Sequence, residues 1–322
     1  GDGSTVDLGA TPITFAGPFT EDWNGDLICG NLSIAAGTTL NGSTDTFTLS
    51  GNFNMAGGFI GRNALDLDGS TEYVVIPDSD ELDISGSKLT FDAWVNTSNY
   101  TTSFQHMVCK SGGYYFISVY NQPQTTTNGR AMIRIYTTGN IDAIGTSVID
   151  DGKWHHIVGT YDKDASSNNL KLYVDGKLEA QTDETGTLSF STSSLFLGSN
   201  DATTNMLDGK LARASVWDAV LTESEIREMM FYDWAAVSGS SIDQTDCVAW
   251  YEFNDSVTAT TVSDMSGSGN TGTLQPDTDG WAGQGTFTYD ESTLFFAGAA
   301  GETQYFKSNG TTSIYSMITS GA

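Results

Sequence analysis

Between residues 64 and 230 the chain is written in short runs of alternating apolar and polar residues, most of them ended by Gly, Asp or Asn. This punctuation constrains the fold more than any other feature of the sequence. The runs include Ala64-Leu-Asp-Leu-Asp-Gly69, Tyr73-Val-Val-Ile-Pro77, Leu89-Thr-Phe-Asp-Ala-Trp-Val95, Trp154-His-His-Ile-Val158, Leu170-Lys-Leu-Tyr-Val-Asp-Gly176 and Leu195-Phe-Leu-Gly198. Alternation sends successive side chains to opposite faces, so each run reads as a half-buried strand. Turn residues between the runs make neighbouring strands antiparallel. Many such strands in one chain imply a two-sheet sandwich. The 36 glycines and the 16% charged residues suit an all-β, turn-rich chain.

The two ends differ from this middle. Residues 1–60 are rich in Gly, Thr, Ser and Asn, with alternation only in Leu32-Ser-Ile34, Phe47-Thr-Leu49 and Phe53-Asn-Met55. Residues 283–322 have the same character, in Gly285-Thr-Phe-Thr-Tyr289, Thr293-Leu-Phe-Phe296 and Ile314-Tyr-Ser-Met317. Such rungs bury no face alone and must stack on neighbours, as in β-solenoid and fibre repeats. The expected organisation is a β-rich flanking scaffold, 1–60 and 283–322, carrying a sandwich over 61–282. The alternative is that both flanks are extra edge strands of the sandwich or poorly ordered ends.

Thr222-Glu-Ser-Glu225 is a capping box ahead of Ile226, Met229 and Met230, and predicts one short helix near 222–232. Cys247-Val-Ala-Trp-Tyr-Glu-Phe253 then reads as a strand, and Asp264-Met-Ser-Gly-Ser-Gly-Asn-Thr-Gly-Thr-Leu274 as a Gly-rich loop entering another. Too few residues follow for a second sandwich of about 100 residues. These strands are therefore expected to complete the first.

The order of motifs resembles the laminin-G-like, pentraxin-like family of concanavalin A-type jelly rolls. Those motifs are Leu67-Asp-Gly69 with Tyr73-Val, Phe91-Asp-Ala-Trp-Val95, Lys153-Trp-His-His-Ile157, Leu170 to Gly176, Leu197-Gly-Ser-Asn200, Asp208-Gly-Lys210, and Trp217 followed by Leu221-Thr and Glu225-Ile. The resemblance covers a little over half the chain. It implies a fold more than a function, because this fold hosts lectins, adhesion modules, enzyme appendages and spacers.

Forty acidic against thirteen basic residues give a formal charge of −27. A phosphate-binding groove needs clustered Lys and Arg, so nucleic acid is excluded as a partner. The acidity reads either as a solvating surface or, in part, as loop carboxylates holding Ca²⁺. Cys29, Cys109 and Cys247 show no zinc-ligand spacing, and their odd number leaves a thiol free. No apolar run is long enough to insert in a membrane. Gly1-Asp2-Gly3 carries neither an initiator Met nor a signal peptide, which reads as a processed chain or an excerpt of a longer one.

Glycosidases of the resembled fold use Glu-x-Asp-x-x-Glu on one strand. The nearest match, Glu81-Leu-Asp-Ile-Ser-Gly86, lacks the last carboxylate, and Asp78, Asp80, Glu81 and Asp83 read as a solvated loop. His155 and His156 point to opposite faces of one strand, and no nucleophile elbow or His-Glu-x-x-His occurs. An enzyme is therefore not expected. Pentraxin-like proteins carry a calcium loop where this chain has Leu197-Gly-Ser-Asn-Asp201, so the resemblance makes Asn200 and Asp201 candidate metal ligands. Asp264 and Asn270 form a second candidate set, in a loop whose glycines turn carbonyls inward. Both loops equally read as plain turns. Tyr114, Phe116 and Tyr120 are the candidate ligand-binding residues, since aromatic faces stack on sugar rings, although aromatic residues are also core material. Trp94, Trp154 and Trp217 are expected in the core.

The functional expectation is a non-catalytic surface module of an extracellular or virion fibre or adhesin. It would display a lectin-like sandwich to a glycan or a cell-surface protein. The alternative is a self-assembling structural fibre, coat or decoration protein, with the terminal β segments pairing between copies.

Overall fold

The structure is a computed structural model. It describes residues 64–98, 104–112, 114–121, 128–230, 232–238, 240–255 and 259–276, and the backbone alone of short strands outside them. The chain divides into two compact units, one of residues 59–234 with 241–287, the other of 1–58 with 235–240 and 288–322.

The first unit is the sandwich. Its strands are β1 (Asn63–Asp68), β2 (Tyr73–Ile76), β3 (Lys88–Asn96), β4 (Gln105–Lys110), β5 (Tyr115–Tyr120), β6 (Arg130–Tyr136), β7 (Asn140–Val148) and β8 (Trp154–Asp162). They continue as β9 (Leu170–Val174), β10 (Lys177–Thr182), β11 (Leu195–Leu197), β12 (Asp208–Trp217), β13 (Cys247–Tyr251), β14 (Thr261–Val262), β15 (Gly272–Gln275) and β16 (Gly285–Thr286). Sheet one runs β7-β6-β5-β4-β11-β2-β15-β14. Sheet two runs β10-β9-β8-β3-β12-β1-β16, with β13 also paired to β12. All of these pairings are antiparallel, so the fold is the expected all-β jelly-roll sandwich. Strands 247–251 and 272–275 complete it, as their sequence implied.

Alternation sets the core. Leu89, Phe91, Ala93 and Val95 of β3 face inward with Ile157 and Tyr161 of β8, against Tyr115, Ile117 and Val119 of β5 and Ile133 and Ile135 of β6. The β9–β10 hairpin turns through Asp175 (φ 50°) and Gly176 (φ 71°), the paired left-handed residues of a type I′ turn. The helix α1 spans Glu223–Met229, and Thr222 and Glu225 make the capping box in both directions. Trp94 and Trp217 are buried as expected, whereas Trp154 is half-buried.

The second unit contains short strands. Thr5–Asp7, Asp26–Cys29, Phe47–Leu49 and Phe306–Ser308 pair side by side, each in parallel. Ile13–Phe15, Leu32–Ala35 and Phe53–Ala56 do the same, as do Thr20–Asp22 and Thr39–Asn41. Within residues 1–58, partners lie 19 to 21 residues apart, as in Ile13 with Leu32 and Thr5 with Asp26. That is the register of rungs stacked by coiling. The expected strand at 293–296 lies outside the described residues, as does the one at 314–317.

Candidate functional site

The outer faces of the two sheets differ. Sheet two is covered at its centre. Asp92, Trp94, His156, Arg213 and Ser215 point away from the core yet are all buried, beneath α1 and the chain that follows it. Arg213 donates from Nη1 to the Met229 and Tyr232 carbonyls and from Nη2 to Asp92 Oδ2 at 2.7 Å. Its guanidinium lies 4.7 Å from the Trp250 ring centre. Trp94 Nε1 donates to the Met230 carbonyl. His156 Nε2 lies 2.9 Å from Asp92, and Ser215 Oγ donates to the other Asp92 oxygen. Burial and the Arg213 charge push the His156 pKa down, against Asp92, so the ring is neutral. This buried cluster fastens α1 to the sheet.

Sheet one carries partly exposed aromatic rings on its outer face. Register places Phe116, Arg134 and Asp142 in one row across β5, β6 and β7. Arg134 donates from Nε and Nη2 to the two Asp142 oxygens, at 2.6 and 2.8 Å. Such a cross-strand fork fixes the guanidinium plane. The plane lies over Phe116, 5.1 Å from its centre. Both charged side chains keep access to solvent, at 21% and 34% exposure. His106 stacks on Phe116 at 4.3 Å and beside Phe104 at 6.1 Å. Burial and the nearby Arg134 charge lower its pKa to about 3 despite Asp201, so the ring is neutral. Its Nε2 faces the Asn205 amide at 3.3 Å, while the buried Nδ1 has no hydrogen-bond partner among the described residues. Two ring pairs flank this centre, Phe104 with Tyr120 and Tyr114 with Tyr136, each at 5.7 Å.

Of the three expected ring residues, Tyr114 and Tyr120 are half-buried on this face. Phe116 is on the same face but only 2% exposed, so it is the floor under Arg134 and His106 and not itself a platform. Sequence reasoning missed Phe104, His106, Arg134 and Asp142. The alternation Arg130, Met132, Arg134, Tyr136 along β6 was the available signal.

The expected metal residues are brought together only within each loop. Asn200 and Asp201 follow β11, Asp264 and Asn270 precede β15, and the registers through β2 put these loops at opposite ends of sheet one. Asp201 Oδ1 accepts from the backbone and hydroxyl of both Thr203 and Thr204. Despite slight burial, these donors hold its carboxyl below the usual carboxylate range. Asn200 Oδ1 faces the Cys109 thiol. Asp264 accepts from the Trp250, Ser266 and Asn270 amides. Asn270 takes a hydrogen bond from Ser79 and donates to the Val248 carbonyl. These oxygens are spent on the fold and do not fit a calcium shell as they stand. Among the described residues, no three His, Cys, Asp or Glu side chains group to hold a metal.

In the acidic loop after β2, Asp78, Asp80 and Glu81 are exposed, as expected of a solvated loop, and Asp83 is half-buried. Asp78 and Asp83 lie 2.6 and 3.0 Å from Lys110 Nζ, and Lys110 is 1% exposed. They are counter-ions of a buried cation.

Residues 68–227 match a family described as the concanavalin A-like lectin/glucanases superfamily. A putative carbohydrate-binding protein from Bacteroides ovatus is similar in structure, with a TM-score of 0.54 and 16% identity over 69% of this chain. The chain spans 60% of that protein's length. Weaker similarities are to a pentraxin from Limulus polyphemus (TM-score 0.35, 13% identity, 51% of this chain and 83% of that one) and to domain 4 of an extracellular arabinanase from Geobacillus stearothermophilus, solved with arabinotriose (TM-score 0.41, 21% identity, 52% and 76%). A search among curated proteins returned no match.

Proposed function

We propose that this laminin-G-like domain, whose residues 68–227 belong to the concanavalin A-like superfamily, is a non-catalytic carbohydrate-binding module. The observation that carries the reading is the outer face of sheet one. There, half-buried rings flank a partly exposed Arg134–Asp142 pair, while the centre of the opposite sheet's outer face is buried beneath α1. Aromatic faces with a few fixed polar groups are the surface a sugar ring needs. The Bacteroides ovatus protein of similar fold, itself described as a putative carbohydrate-binding protein, is consistent with this reading. Calcium is not required by it.

In this proposal the module is displayed on a stacked-rung scaffold built by residues 1–58 and 288–322, in an extracellular, cell-surface or virion fibre. The parallel pairing of Phe47–Leu49 with Phe306–Ser308, on either side of the sandwich in sequence, favours that organisation. The same pairing favours the second reading, a structural fibre whose rungs continue between copies. A glycan array of the whole chain, run with calcium and with chelator, tests the first. Binding is expected in both buffers and is expected to be lost in Tyr120→Ala. Binding that chelator abolishes would remove the site from this face. No binding, together with concentration-dependent filaments by light scattering, would leave the structural reading.

A further inference from the structure

We infer that the outer face of sheet one takes the interior of a linear, uncharged glycan chain, and neither a chain end nor an acidic polysaccharide. This rests on the carbohydrate-binding reading and narrows it. The first argument is shape. Tyr114 and Tyr120 stand at the two ends of β5, six residues apart, which is about 20 Å of strand. Each is paired with another ring, Tyr136 and Phe104 respectively. A single terminal sugar reaches one ring pair only. A ligand that uses both must be several sugar residues long and must pass over Phe116 and the Arg134 guanidinium between them, with Asp142 to one side.

The second argument is charge. Two of the five guanidinium N–H groups of Arg134 are given to Asp142, in a fork that neutralises both charges. What remains accessible is a row of N–H donors beside carboxylate lone pairs. A hydroxyl group, which both donates and accepts, matches that row. A uronic or sialic carboxylate would have to displace Asp142 to gain the cation. It would also approach a chain of formal charge −27. Arg130, opposite Tyr120, adds one cation at that end. His106 adds none: it is buried and neutral against Phe116.

The experiment is calorimetric titration of the whole chain with neutral oligosaccharide ladders (β-glucan, xylan and arabinan series, from monosaccharide to hexasaccharide) and with polygalacturonate and alginate. The expected result is affinity that climbs at least about tenfold along one neutral ladder and is unmoved by salt, since no net charge is screened. Asp142→Asn should weaken the hexasaccharide about tenfold, the loss of one charge-assisted hydrogen bond. Its thermal unfolding should stay close to wild type, because exposed pairs add little stability. Affinity independent of chain length, or uronate binding that fades with salt, would overturn the inference and leave the carbohydrate module standing. No glycan binding in any series would overturn both.

Discussion

Replacing Arg213 with Met keeps most of the side-chain volume and removes the charge from the most deeply buried ion pair of the sandwich. Both Arg213 and Asp92 are 0% exposed. Removing one partner of such a pair costs about 3–5 kcal/mol, because the other charge is left buried without compensation. The Met229 and Tyr232 carbonyls also lose their donor. Since these losses share one site and do not add fully, about 4 kcal/mol is expected at pH 7. With a urea m-value of about 3 kcal/mol/M, the midpoint falls by roughly 1–2 M, read by tryptophan fluorescence. The pH dependence gives a second signature. In the wild type, burial pushes the Asp92 pKa up, but Arg213, His156 and Ser215 outweigh it and bring it to about 2. A depressed value contributes stability above the unfolded pKa of about 3.9, and loses it as pH falls through the folded value. In Arg213→Met the burial remains and the main opposing charge is gone. The shift reverses, and the variant's deficit must shrink as pH falls. The double variant with Asp92→Asn should recover part of the loss at pH 7. A deficit under about 1 kcal/mol, or losses from Arg213→Met and Asp92→Asn that simply add, would refute the idea that this pair fastens the helix to the sheet.

Two further outcomes are expected. His155 sits between Asp175 at 2.8 Å and Asp151 at 3.1 Å, with Lys153 also on Asp151. Burial lowers its pKa, but the two carboxylates raise it by more. Its stabilisation is therefore full below the unfolded pKa of about 6.5 and is lost as pH rises through the folded value. His155→Gln should cost about 1.5 kcal/mol at pH 5, and the gap from wild type in urea titrations should close toward alkaline pH. Gly176→Ala adds a methyl at φ 71°, 2.9 Å from Arg227 Cγ and 3.0 Å from the Met230 sulfur. It should cost at least about 1–2 kcal/mol by the same titration, from the left-handed backbone alone.

Local rules made much of the sandwich legible. The Asp175-Gly176 turn, the Thr222–Glu225 cap and the inward residues of β3 are each decided within a few positions of the chain. The long-range pairs, in the site and outside it, were less legible because they depend on strand order. Arg213 meets Asp92 across 121 positions, and Lys110 meets Asp78 across 32. Phe116 looked like its neighbours Tyr114 and Tyr120 in the sequence. Only the row shared with Arg134, and the His106 ring stacked on it, put it underneath. The Asp201 carboxylate is engaged locally by Thr203 and Thr204, a short-range arrangement of the kind sequence spacing can show.

The pairing of β1 with β16, Ala64 beside Gly285, returns the chain to the place where it entered the sandwich. On the scaffold side, Leu49 and Phe306 belong to adjacent strands although 257 positions separate them (306 minus 49). Were the sandwich unfolded, joining those strands would mean closing a loop of that full length. Once β1 and β16 have paired, only the two connecting segments remain, 14 positions from Leu49 to Asn63 and 20 from Thr286 to Phe306. The logarithmic cost of closure then falls by about 2 kcal/mol. That difference favours an order in which β1 and β16 pair before Phe47–Leu49 meets Phe306–Ser308.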